Sequence, residues 1–185
     1  MESVATSTPL QTDHSGREML FKVSAEKQLG LITIADNKAN VITAINAVLI
    51  VLIVIVLSSG MSVGGSPINE RLEFVIPLGI ILGFGAISAI FAILALKPKI
   101  IRAREQQARS TLFFSNYYRK SLDEYKADLQ QVMSSREAIY DQLMTDMYHN
   151  GLVLERKYAL LGIAYTLFLL AIACSVTSYV IIAVM

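Results

Sequence analysis

Apolar residues fall into three blocks, Val41–Met61, Phe74–Leu96 and Tyr158–Met185, and none of the three contains Asp, Glu, Lys or Arg. A helix rises ~1.5 Å per residue, so roughly 20 residues cross the ~30 Å of hydrocarbon in a bilayer. Each block meets that length, and the pattern predicts three transmembrane helices. Ahead of the first block, Ser15 stands three residues before Glu18, a capping-box spacing that starts a helix. No strong breaker follows until Ser58–Gly60, since Gly30 alone weakens a helix only mildly. One long helix is therefore expected, with residues 15–40 outside the bilayer and 41–61 as the first span. Residues 1–14, rich in Ser and Thr and carrying Pro9, read as a disordered tail. Residues 62–73 hold Gly64, Gly65 and Pro67 and read as a short external loop. The second span, 74–96, ends at Lys97-Pro98-Lys99.

Between the second and third blocks, residues 97–157 are polar but patterned. Leu112, Phe113 and Tyr117, then Leu122, Tyr125, Leu129, Val132 and Met133, recur at helical spacing. Ser121 with Glu124, and Ser134 with Glu137, repeat the capping-box signature and divide the stretch into helices of roughly 20, 12 and then many residues. The last is expected to run from Ser135 through Gly151 into the third span, 158–185. No strand pattern and no repeat is evident. The fold class that follows is an all-α integral membrane protein: three transmembrane helices whose long extensions form a cytosolic helical bundle or stalk.

Charge orients the chain. The turn between the first two spans carries one basic residue, Arg71, whereas the leader carries Arg17, Lys22, Lys27 and Lys38, and residues 97–157 carry eleven. The positive-inside rule then places the leader and the middle segment in the cytosol, with Met185 at the outer side. The composition, 54% hydrophobic and 17% charged, agrees with a membrane protein. The formal net charge of +1 gives no field that would attract nucleic acid. The single cysteine, Cys174, lies in the third block and is expected to serve as a small packing residue. Catalysis is not expected. His14 and His149 have no ligand-spaced companions, so no metal centre is predicted, and no phosphate-cradling glycine loop occurs. No cofactor is expected.

A few polar and small residues stand out against this background. Asn46 interrupts the first span, and a carboxamide in hydrocarbon needs a partner: another helix of the same chain, or a seam between protomers. Gly79-x-x-x-Gly83 in the second span, and Ala171 with Ser175 in the third, would let helix backbones approach closely, within one chain or between chains. Just before the first span, Ala35-Asp36-Asn37-Lys38-Ala39-Asn40 puts Asp36 and Asn40 on one helix face with Asn37 beside them. Lys38 points elsewhere and can reach lipid headgroups. Lys157-Tyr158 reads as an interfacial anchor.

That run, opening an apolar span, resembles the membrane effector family of Pycsar antiphage systems, PycTM. So does Asp146-x-Tyr148-x-x-Gly151-x-Val153-Leu154-x-x-Lys157-Tyr158 leading into a last span, and the intervening Leu112-Phe113-Phe114 and Asp123-Glu124-Tyr125 fit as well. The resemblance covers about residues 17–180. It implies a partner pyrimidine cyclase that makes cyclic CMP or cyclic UMP on infection. It implies an effector that binds this messenger and impairs the inner membrane, so that the infected cell is lost before phage are released. Two-span nucleotide-signalling effectors of the SLATT group share the general layout.

A cyclic mononucleotide carries one phosphodiester charge and a flat base. Its receptor needs a cation, an aromatic face and amide or carboxylate groups for the base edge. Lys38, Arg102 and Lys157 answer the first need, Phe113, Tyr117 and Tyr148 the second, and Asp36, Asn37, Asn40, Asn116 and Asp146 the third. No β-roll nucleotide domain fits in residues 97–157, so a ligand would bind among helices, and a site shared between protomers would couple binding to homo-oligomer assembly. The competing expectation is a membrane scaffold that docks a protein partner on the amphipathic stretch 108–133. A small transporter fits less well, because three spans with few polar residues offer little to line a path.

Overall fold

The computed structural model describes residues 14–97 and 120–184. Residues 1–13 of the expected disordered tail, and Arg102, Phe113, Asn116 and Tyr117 among the candidate ligand residues, lie outside the described residues, while His14, the last residue of that tail, is already helical. Helix α1 runs without a break over His14–Ser58. It therefore already includes Ser15, which the capping pattern had placed ahead of the helix. After α1 the chain turns through a two-residue antiparallel pair, β1 Ser62–Val63 with β2 Ser66–Pro67. Periodicity cannot register strands this short. Gly64 and Gly65 form the tip with φ of 62° and 87°, the left-handed conformations that a two-residue hairpin turn requires. Arg71 secures the loop: its Nη1 donates to the Val63 carbonyl at 2.7 Å, it pairs with Glu73, and its guanidinium lies 5.4 Å from the Phe74 ring centroid.

Helix α2 spans Leu72–Leu96. Helix α3 covers Leu122–Met133 and opens with the predicted capping box, both reciprocal bonds between Ser121 and Glu124 being present. Hydrogen bonding to the Glu124 carboxyl, from the backbone N–H of Ser121 first and from its hydroxyl second, holds that carboxyl below its ordinary pKa. Helix α4 then runs over Arg136–Val184. The cap at its start differs from the expected one. Ser135 Oγ accepts from Ala138 N at 3.1 Å, while Ser134 closes α3 by donating to the Gln131 carbonyl at 2.7 Å.

Helices α1, α2 and α4 each contain a stretch long and apolar enough to cross a membrane. They pack as an up-down-up set: Ile42, Ala92 and Ala164 lie in one cluster, and Val56, Pro77 and Ser175 line one cleft further along. Hence α1 and α4 are parallel and α2 is antiparallel to both. The seam is made of small residues. Gly85, Ser88, Ala92 and Ala95 alternate at spacings of three and four along α2 and are buried, facing Ala39 and Ile42 of α1 and Leu161, Ala164 and Ala171 of α4. Small side chains let the backbones approach, which substitutes for the hydrophobic drive that lipid does not supply. Large side chains point outward instead, among them Val48, Val51, Ile87, Ile90, Leu169 and Val180. Water would not tolerate an apolar exterior of this extent, whereas hydrocarbon does.

Cys174 is exposed on this exterior and is not a packing residue. Gly79 and Gly83 also face outward, and a Cβ at either position would meet nothing within 4 Å. They take no part in packing within the chain, which is carried by the Gly85 stripe on another face of the same helix.

Candidate functional site

Two polar constellations tie the helices together. The first lies where the apolar stretches of α1 and α4 begin. Asp36 on α1 and Lys157 on α4 form an ion pair, with the Lys157 side chain only 12% exposed. One turn nearer the polar end, Tyr158 Oη donates to the Leu31 carbonyl at 3.4 Å. Further down, Gln28 Nε2 donates to the Met147 carbonyl at 3.0 Å. Further still, Phe21 stacks on Tyr140 with ring centroids 5.4 Å apart. The partners are offset in sequence by 119–127 residues throughout. That constancy shows the polar halves of α1 and α4 running side by side, in parallel, on from their apolar halves. Lys157 and Tyr158 thus act as interhelical clasps rather than as the anchor to headgroups expected from sequence.

The second constellation lies inside the spans. Asn46 Nδ2 donates to the Ile42 carbonyl at 3.0 Å and to Ser88 Oγ at 3.1 Å, and Ser88 Oγ donates onward to the Ala164 carbonyl at 2.7 Å. The chain of donors fixes the amide orientation. Ser88 spends its only proton on Ala164, so it must accept from Asn46, and only the NH2 side of the carboxamide can supply that proton. Asn46 Oδ1 is consequently buried without a hydrogen-bond partner. It faces Gly85, where a Cβ would sit 3.2 Å from it. Asn46 finds its partner within the chain, the first of the two possibilities raised by its sequence position.

Among the described residues, the other sequence candidates are not gathered around Asp36 and Lys157. Asn37 and Lys38 are exposed on other faces of α1, and Asn40, one turn on from Asp36, is exposed as well. Asp146 lies eleven residues before Lys157 on α4, roughly 16 Å down the helix, within 3.5 Å of Asn150 Nδ2. Tyr148 is exposed and meets the His149 ring edge-on. The candidates belong to three places, not one, because a motif along a single helix spreads its members around the axis. Sequence reasoning missed Ser88, Gly85, Phe21 and Tyr140. The one usable signal was the buried-type spacing of small residues at 85, 88, 92 and 95.

What the arrangement defines is a helical membrane protein in which two parallel helices pass without interruption from a polar arm into the apolar layer, clasped at the boundary by an ion pair. A family model described as PycTM, the Pycsar effector protein domain, matches residues 21–184 and therefore takes in arm and spans together; the chain belongs to that family. Neither a curated protein nor a solved structure matches it.

Proposed function

We propose that this protein is an antiphage effector of the inner membrane, not an enzyme: its cytosolic helices bind a cyclic pyrimidine mononucleotide made by a partner cyclase, and binding rearranges the spans so that the membrane leaks and the infected cell is lost. The observation that carries this reading is the continuity of α1 and α4. No joint separates the arm from the span in either helix, so a ligand that changes how the arms pack changes how the spans pack. The family match supports the defence setting. The basic residues on the arm side support a cytosolic arm and an external hairpin. The outward-facing Gly79 and Gly83 support assembly into a homo-oligomer, since they leave α2 open to close approach by a second copy.

The ligand drives the change only through a difference in affinity for the two arrangements. Taking a population from 1:99 to 99:1 requires a ratio of ~10⁴, about 5.5 kcal/mol, which an oligomer divides among several sites. The test is dye release from liposomes containing the purified protein. Cyclic CMP or cyclic UMP is expected to trigger release, and cyclic AMP and cyclic GMP are not. Release that proceeds equally with every nucleotide and with none refutes the gating scheme.

A further inference from the structure

At the hairpin end of the bundle, opposite the polar arm, a cleft of about 390 Å³ opens where all three spans meet. Val56 of α1, Pro77 and Leu78 of α2 and Val176 of α4 give it mostly apolar walls. The one charged residue in the lining, Glu73, is already paired with Arg71, so no uncompensated charge faces the space. Val176 and Tyr179 line the cleft and are also exposed on the outer face of α4, so the space communicates with the surroundings of the bundle. Those surroundings, at this end of the helices, are the apolar layer and its boundary. The volume falls within the roughly 300–1,000 Å³ typical of small-ligand sites.

One polar group in the cleft stands apart from its kind. Elsewhere in the apolar stretches hydroxyls are engaged: those of Thr43, Ser58, Thr166 and Thr177 each donate to the carbonyl four residues back, and that of Ser88 donates to Ala164. Ser175 lines the cleft and is only 6% exposed, yet its hydroxyl meets no partner among the described residues. A hydroxyl kept from water without an acceptor is costly and calls for one. Water is a poor candidate. A space of this size would take about a dozen molecules, each needing two to four polar partners, which mostly apolar walls do not supply.

We propose that the cleft seats one acyl chain of a bilayer phospholipid, with the ester carbonyl of that chain accepting from the Ser175 hydroxyl. The chain supplies hydrocarbon to the walls and the ester supplies the missing acceptor. An uncharged seat suits this occupant, whose charged headgroup stays outside the cleft. Glu73 stands second in α2, at the boundary, and Pro77 lies one turn further in, roughly 6 Å deeper. Ser175 lines the cleft together with Pro77, below the charged rim, as an ester lies below its headgroup. The seated lipid touches all three helices and holds their hairpin ends together, whatever ligand the polar arm takes.

The experiment is native mass spectrometry of the full chain, extracted in mild detergent from vesicles of phosphatidylethanolamine and phosphatidylglycerol made with either diester or diether lipids. Wild type is compared with Ser175→Ala, Ser175→Leu and the control Thr177→Leu, which adds the same bulk on the exposed face of α4. Unchanged helicity and elution volume confirm that each variant is folded. Wild type and Thr177→Leu are expected to retain one diester phospholipid per chain, and Ser175→Leu, whose side chain fills the seat, is expected to lose it. Ser175→Ala keeps the space and removes the donor, so retention should weaken by about two- to tenfold, as loss of one hydrogen bond does, and the wild-type preference for diester over diether lipid should vanish. A folded wild type without retained lipid, or equal retention by Ser175→Leu and Thr177→Leu, overturns the seat. Equal retention of diester and diether lipid by wild type overturns the contact with Ser175.

Discussion

The contact between Asn46 and Gly85 makes a quantitative prediction about how the spans are held. A Cβ at position 85 would lie 3.2 Å from Asn46 Oδ1. That oxygen cannot swing aside cheaply, because the amide is fixed through its nitrogen to the Ile42 carbonyl and to Ser88. Overpacking a buried site costs about 1–3 kcal/mol, and alanine in place of a helical glycine returns about 1 kcal/mol of propensity. Gly85→Ala alone should therefore destabilise the spans by about 0–2 kcal/mol. Asn46→Ala removes the obstructing oxygen together with an interhelical bond worth about 0.6 kcal/mol and at most about 1.7 kcal/mol in a membrane. In that background only the propensity gain survives, so Gly85→Ala should stabilise by up to about 1 kcal/mol. The sign of one substitution is thus expected to reverse with the state of its neighbour, a coupling of about 1–3 kcal/mol. The assay is a double-mutant cycle on equilibrium unfolding in mixed micelles, followed by circular dichroism. Effects that add to within about 0.5 kcal/mol refute the contact and with it the orientation of the Asn46 amide.

Three further expectations concern the arm, the clasp and the sidedness of the chain. Asp36→Asn leaves the nearly buried Lys157 ammonium uncompensated and is expected to lower thermal stability by about 1–3 kcal/mol; exchanging the two residues, Asp36→Lys with Lys157→Asp, should recover at least half of that loss, and no recovery refutes the pair. Glu124 has a folded pKa below its ordinary value, so its contribution to α3 is complete above that ordinary value and is lost as pH falls through the depressed one; the hydrogen-exchange protection factors of α3 should fall on acidification in wild type and lose that acid dependence in Glu124→Gln. In whole cells of a Cys174→Ala background, a cysteine at Ser62 is expected to react with an impermeant maleimide and one at Lys126 only after the membrane is opened, and the reverse pattern inverts the orientation.

The three spans were legible in the sequence because hydrocarbon imposes a length and forbids charge, and both show in one dimension. The α3 cap was legible for a similar reason: Ser121 and Glu124 satisfy each other locally. The start of α4 was displaced by one residue because Ser134 and Ser135 both precede it, and only the path of the chain decides which hydroxyl turns back onto the helix. What could not be read was register between distant helices. Nothing in the residues around Asp36 says that its partner stands 121 positions later, or that Phe21 meets Tyr140. Periodicity fixes which residues share a face, not which face finds which helix. The glycine pair at 79 and 83 left packing within the chain and contact between chains both open, because α2 carries small residues on two faces, and the seam within the chain uses the other one.

The hydrogen-bonded node formed by Asn46, Ser88 and the Ala164 carbonyl sits off centre along α1. At ~1.5 Å per residue it lies roughly 38 Å from Phe21 and roughly 18 Å from Ser58. A pair of rods joined at such a point has moment arms in a ratio of about two to one. Prising Phe21 and Tyr140 apart by about 3 Å would then displace the far tips by only about 1.4 Å, with the longer stroke on the side of the polar arm. Inside the bilayer the order inverts: Val41, where the first span begins, is only roughly 8 Å from the node and would move by about 0.6 Å, so the leaflet on the far side would open wider than the one next to the arm.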